Sequence, residues 1–93
     1  MTIQSFACSE TENLFDTGST IKFSAIQRQA EKKLTMLEAA KDLKDMKSPP
    51  GNKLHALTGD RSGQHSIRIN DQYRICFIWT TAGPEKVEIT DYH

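Results

Sequence analysis

Ile26, Ala30, Leu34, Leu37, Ala40 and Leu43 recur at spacings of four and three, which gathers them on one stripe of an α-helix. Arg28, Glu31, Lys32, Glu38, Lys41, Asp42 and Asp45 fill the remaining positions, and their mixed signs fit a solvated outer face on a helix packed against a sheet. Ser24-Ala25-Ile26-Gln27 has the form of a capping box and predicts the start of this helix. Ser48-Pro49-Pro50-Gly51-Asn52 predicts its end, because proline lacks an amide proton and disfavours helical geometry in the residue before it. Upstream, Ser9-Glu10-Thr11-Glu12 repeats the capping-box form and predicts a short helix through Leu14 and Phe15, closed by Gly18. Thr2 to Ala7 alternate weakly and predict an opening strand with Ile3 or Phe6 turned inward.

Beyond Asn52 the period changes from helix to strand. His65-Ser66-Ile67-Arg68-Ile69 and Tyr73-Arg74-Ile75-Cys76-Phe77-Ile78-Trp79 alternate around Asn70-Asp71-Gln72, a hairpin pattern. Thr80-Thr81-Ala82-Gly83-Pro84 turns the chain again into a last strand, Val87-Glu88-Ile89-Thr90. If Ile67 and Ile69 share a buried face with Ile75 and Phe77, cross-strand partners must sum to an even number. We expect Asn70 opposite Arg74 and Ile67 opposite Phe77, with Asp71-Gln72-Tyr73 as the loop. This parity sets Arg68 and Arg74 together on the outer face, beside a loop carrying His55 and Arg61. Two readings of that face stand: an anion site, or surface salt bridges to Asp60, Asp71 or Glu88. Strict alternation in the last strand turns Asp91 toward the core with Val87 and Ile89, and Tyr92 outward. The class is α+β: an N-terminal strand and two helices packed on a curved, mainly antiparallel sheet.

Length and charge narrow the possibilities. With 93 residues the chain is expected to form one domain, with a radius of gyration of roughly 12 Å. Its 37% hydrophobic content suffices for a modest core. The longest apolar run, Ile75 to Trp79, is far too short to cross a bilayer, and Met1-Thr2-Ile3-Gln4 does not resemble a targeting segment. Cys8 and Cys76 lack metal-site spacing and are expected to be reduced, partly buried thiols. Twelve Lys+Arg balance twelve Asp+Glu, which argues against a domain that holds nucleic acid by charge alone. The exception is local: residues 53–74 carry Lys53, Arg61, Arg68 and Arg74 against Asp60 and Asp71, a net of +2.

Three histidines remain to be placed. His55, His65 and His93 form no helical pair or Cys/His cluster, so acid–base chemistry suits them better than metal binding. His65 shares the inner face with Ile67 and reads as a structural residue. The terminal Asp91-Tyr92-His93 reads as a frayed end by composition alone. No P-loop, dinucleotide fingerprint, nucleophile elbow or zinc-protease motif is present, so no cofactor is expected.

Taken together, Lys53-Leu54-His55-Ala56-Leu57-Thr58-Gly59-Asp60-Arg61, Ser66-Ile67-Arg68-Ile69-Asn70, Tyr73-Arg74-Ile75 and the terminal Asp91-Tyr92-His93 resemble the HigB branch of the RelE-like bacterial toxins. The resemblance extends over essentially the whole chain. It implies a helical layer on a curved antiparallel sheet, and a ribosome-dependent endoribonuclease that cuts mRNA in the small-subunit decoding site of the bacterial cytoplasm. It implies His55, Arg74, Asp91, Tyr92 and His93 as active residues, with Lys53, Arg61 and Arg68 contacting RNA and no metal or cofactor. It also implies neutralisation by a helix-turn-helix, HigA-like antitoxin, through which alone operator DNA would be reached. Asp91 or His55 would serve as base, His93 as acid, Arg74 as phosphate clamp and Tyr92 as a stacking or orienting group; an alternative for Asp91 is a structural carboxylate. Two departures, Thr58 where a basic residue is expected and the zero net charge, imply a slow or mild toxin. The alternative function within the same fold is a non-enzymatic, ParE-like toxin that inhibits a protein target such as DNA gyrase.

Overall fold

The computed structural model describes residues 3–48 and 50–91. Two helices, α1 (Ser9–Thr17) and α2 (Gln27–Ala39), cover one face of a four-stranded sheet. The strands β1 (His55–Ala56), β2 (His65–Arg68), β3 (Tyr73–Thr80) and β4 (Gly83–Asp91) lie in sequence order, and every neighbouring pair is antiparallel. The α2 stripe is buried as its spacing requires: Ile26, Ala30, Leu34, Leu37 and Ala40 pack with Leu14 and Phe23 against Ile67, Ile75, Phe77, Val87 and Ile89. Gly18 closes α1 with φ +70°, a left-handed conformation that costs glycine little, and its amide donates to the Leu14 carbonyl at 2.9 Å.

The helix boundaries differ from the sequence expectation. Neither serine capping box forms. Cys8 is the N-cap of α1, so Ser9 already lies inside the helix. Ser24 instead opens a 3₁₀ turn, Ser24–Ile26, anchored by the Thr20 hydroxyl accepting from the Phe23 amide at 3.1 Å. The box that does form is at Asp42–Asp45, where the Asp45 carboxylate accepts from the amides of Lys41 at 2.9 Å and Asp42 at 3.1 Å. By recruiting those amides the aspartates end α2 at Ala39, well before the prolines, and start a 3₁₀ turn at Leu43–Lys47. Leu43 and Met46 continue the apolar stripe from this turn.

Asn52 then fixes the approach to the sheet. Fully buried, it donates to the carbonyls of Met46 at 3.2 Å and Ser48 at 3.3 Å, and accepts from the Lys33 ammonium. Lys53 follows with φ +48°, which swings the chain into β1.

Parity in the β2–β3 hairpin is as expected, but the register is shifted by two residues, and the three-residue loop moves back from 71–73 to 70–72. Ile67 faces Ile75 and Arg68 faces Arg74, in place of Ile67 opposite Phe77 and Asn70 opposite Arg74. The reason lies in the loop: the Asn70 side chain accepts from the amides of Gln72 and Tyr73, both at 2.8 Å, and takes Asn70 out of the ladder. At the next hairpin Thr80 pairs with Gly83 across a two-residue loop.

The N-terminal strand is an abbreviated one. Residues 3–7 run parallel to β4 and form one bridge, Phe6 to Val87, supported by Gln4 N–H to Pro84 O at 2.7 Å and Ala7 N–H to Val87 O at 3.0 Å. Pairing is short because β4 bulges there: its register against β3 shifts between Cys76 and Ile78, and Lys86 takes φ +51°. Further along the same edge, the buried Thr11 hydroxyl accepts from the Ile89 amide at 3.0 Å.

Thr11→Val keeps the volume but leaves the buried Ile89 amide unpaired, and should cost about 1–3 kcal/mol in urea unfolding. Asp45 is held below its ordinary value of 3.8 by the two amide hydrogen bonds. A carboxylate depressed on folding stabilises above its unfolded value and loses that contribution as pH falls through its folded one. Asp45→Asn should therefore be less stable than wild type at pH 7, and the difference should close as the pH is taken below 3.8.

Candidate active site

Alternation along β3 divides its side chains. Ile75 and Phe77 enter the core, and Arg74 and Cys76 fall on the opposite face. Register then builds two rows across the sheet. One runs His55, Ser66, Cys76, Glu88; the other runs Arg68, Arg74, Thr90.

Ser66 and Cys76 form the floor and are buried although they face away from the helices. Arg74 lies over them, its Nη1 donating to the Ser66 hydroxyl at 2.9 Å. The Cys76 thiol lies 3.4 Å from the Thr90 hydroxyl. The chain between β1 and β2 closes on itself through Leu57 N–H to Gln64 O at 2.8 Å, and carries Arg61 back over the sheet. Arg61 donates to Glu88 at 2.7 Å and to Gln64 at 3.1 Å. The Glu88 hydrogen bond raises the Arg61 guanidinium above its ordinary value, against the opposing effect of burial.

Arg61 and Arg74 line an open cleft of about 420 Å³ together with His55, Leu57, Thr58 and Asp60. An exposed imidazole and two guanidiniums thus converge on one concave surface. The remaining expected RNA contacts, Lys53 and Arg68, line a neighbouring cleft that also includes Arg74. The salt-bridge reading of the outer face holds for Arg68, which pairs with Asp71; Glu88 pairs with Arg61, and Arg74 donates to Ser66.

Asp91 keeps the face that strict alternation assigns it, that of Ile75 and Ile89, but it is not buried there. It is exposed at the end of β4, opposite Tyr73, and accepts from the Gln72 side chain at 3.2 Å. It lies at the sheet end beside the β2–β3 loop and lines neither of these clefts, because β4 ends there beyond the cover of the helices. Tyr92 and His93 lie outside the described residues. His65 is half-buried, its ring stacked on Phe77 at 6.3 Å between centroids, in keeping with a structural role. Among the described residues, no cluster of three or more His, Cys, Asp or Glu side chains is arranged to hold a metal, and no helix is long and apolar enough to cross a membrane.

The sequence reading missed Ser66 and Cys76. Their signal was the same parity that found the arginines: Ser66 lies two residues before Arg68 on the same strand face, and Cys76 two after Arg74.

Two helices on one face of a four-stranded antiparallel sheet, with a basic cleft on the other, define a RelE-like toxin domain. The chain belongs to the HigB-like toxin family, the RelE-like toxins of the type II toxin-antitoxin system HigB, whose family model matches residues 4–93. It is 43% identical over 56 residues to Toxin HigB-1 of Vibrio cholerae, an alignment covering 60% of this chain and 59% of that protein. An uncharacterized protein of Haemophilus influenzae is 37% identical over 62 residues, covering 67% of this chain and 60% of its own length. The matched part thus spans about three fifths of these curated relatives.

The Arg61–Glu88 pair is partly solvated, with side-chain exposures of 42% and 23%. A double-mutant cycle with Arg61→Ala and Glu88→Gln should give a stability coupling below about 1 kcal/mol, so that Arg61 is available to an incoming anion at little cost.

Proposed function

We propose that the chain is the toxin of a type II toxin-antitoxin pair and acts as a metal-independent, ribosome-dependent mRNA endoribonuclease. The observation that carries this reading is the convergence of His55, Arg61 and Arg74 on one cleft. A guanidinium held by a buried serine is a preorganised donor, suited to the charge that builds on phosphate oxygens in a transition state. Family membership supports the toxin assignment and an antitoxin partner.

In the reaction, a ribose 2′-hydroxyl attacks the adjacent phosphorus as its proton passes to a base, and the bond to the 5′-oxygen breaks as an acid protonates that oxygen. The products are a 2′,3′-cyclic phosphate and a 5′-hydroxyl end. His55, exposed on the cleft wall, suits the base side, with Asp91 the alternative; His93 is the acid, and Tyr92 stacks on a splayed base or orients the sugar. Arg74 takes the phosphate charge, and Lys53, Arg61 and Arg68 contact the flanking backbone. The ribosomal decoding site supplies the mRNA, a helix-turn-helix antitoxin of the HigA type restrains the toxin in the bacterial cytoplasm, and operator DNA is reached only through that antitoxin. Thr58 on the cleft wall and the zero net charge favour a slow or mild toxin.

Induction of wild type beside Arg74→Ala, His55→Ala and His93→Ala, each shown to be folded by circular dichroism, tests this reading through growth and primer extension on mRNA. Wild type should arrest growth with discrete ribosome-dependent cuts. Arg74→Ala should lose about 10²–10³ in cleavage rate, and each histidine variant about 10²–10⁴. Equal arrest by all four proteins without mRNA cuts would replace the nuclease with an inhibitor of a protein target such as gyrase.

A further inference from the structure

Arg74 borders two clefts. The second, about 250 Å³, is lined by Lys53, Arg68, Asn70, Asp71 and Arg74, three cations and one carboxylate. Arg68 and Arg74 face each other directly across β2 and β3, a placement in which like charges repel. The Asp71 carboxylate lies against the Arg68 guanidinium and offsets that repulsion. Asp71 is nearly all solvent, with 98% of its side chain exposed, and ion pairs this open are weak and easily exchanged for another anion.

The surroundings sustain a positive field there. On α2, the Lys33 ammonium donates to Asn52, the residue before Lys53, and burial, Lys32 and Arg68 together lower its affinity for a proton. Lys53 is held in a left-handed conformation that non-glycine residues rarely adopt, directly after the buried Asn52 that pins its loop. Such a backbone persists only where the surrounding structure enforces it.

Resting on the nuclease reading, we propose that this second cleft binds the phosphodiester adjacent to the scissile one, and that Asp71 occupies the phosphate's place on Arg68 until RNA displaces it. The substrate unit is then two consecutive phosphates of single-stranded RNA, with Arg74 between them. Arg68 and Lys53 set where the strand lies relative to His55, and Asp71 weakens binding of strands that present no phosphate at this position.

The test is fluorescence anisotropy with a labelled 2′-O-methyl RNA hexamer, which lacks the attacking hydroxyl, across a range of salt concentrations. Asp71→Asn should bind three- to tenfold more tightly than wild type at low salt. Arg68→Ala should bind more weakly and lower the salt slope by about 0.7, the loss of one phosphate contact on a single strand. In the Arg68→Ala background, Asp71→Asn should have no further effect, because its carboxylate acts through that guanidinium. Melting curves confirm that each variant is folded. Equal affinities for wild type and both single variants would overturn the subsite. A gain from Asp71→Asn that persists without Arg68 would also overturn it, since it would reveal only a general change of net charge. Cleavage of ribosome-bound mRNA by wild type is scored separately: intact cutting with unchanged affinities rejects the subsite alone, and the expected affinities without cutting reject the nuclease reading alone.

Discussion

The pairing of Ile67 with Ile75 decides what both faces of the sheet are. These two residues are fully buried beneath the helices, and with strand period two their alignment sends Arg68 and Arg74 to the other side, directly opposite each other. A slip of one residue would exchange core and cleft. Apolar burial therefore imposes a juxtaposition of like charges, which Asp71 and Ser66 then accommodate by accepting hydrogen bonds from the two guanidiniums. The cleft's charge is in this sense a by-product of the core, fixed by residues that line neither cleft.

Buried polar anchors do the remaining positioning. Asn52 ties the chain after α2 to Met46, Ser48 and Lys33, and so determines where Lys53 and His55 enter the sheet. Thr11 ties α1 to the outer edge of β4. Each satisfies backbone groups that would be costly to bury unpaired, and each joins a helical element to the part of the sheet it serves.

Much of this was legible in the sequence, for identifiable reasons. The α2 stripe, the Gly18 stop and the even parity of the hairpin follow from periods of 3.6 and 2 and from one residue's backbone freedom, all local properties. The hairpin register was misplaced because Asn70 hydrogen-bonds its own loop, a choice between side-chain and ladder partners that alternation does not encode. The serine boxes yielded to a 3₁₀ turn and an early helix start, and the aspartate pair that does cap was read as part of a solvated helix face. In the site, parity found Arg68 and Arg74, and the family resemblance pointed to His55. The uncharged floor of Ser66 and Cys76 passed unnoticed because its importance depends on what covers it, and Asp91 keeps its expected face but is left exposed where the strand outruns the helices.

The parallel bridge between Phe6 and Val87 joins segments separated by almost the whole chain. Closing so large a loop is entropically slow compared with forming the two hairpins or the helices, whose contacts are local. During synthesis residues 3–7 must therefore stay unpaired until β4 has left the exit tunnel, and Thr11 has no Ile89 amide to accept from before then. The chain acquires its finished sheet only once β4 has been made, so the order of assembly, as much as any partner, delays the moment at which a complete cleft exists.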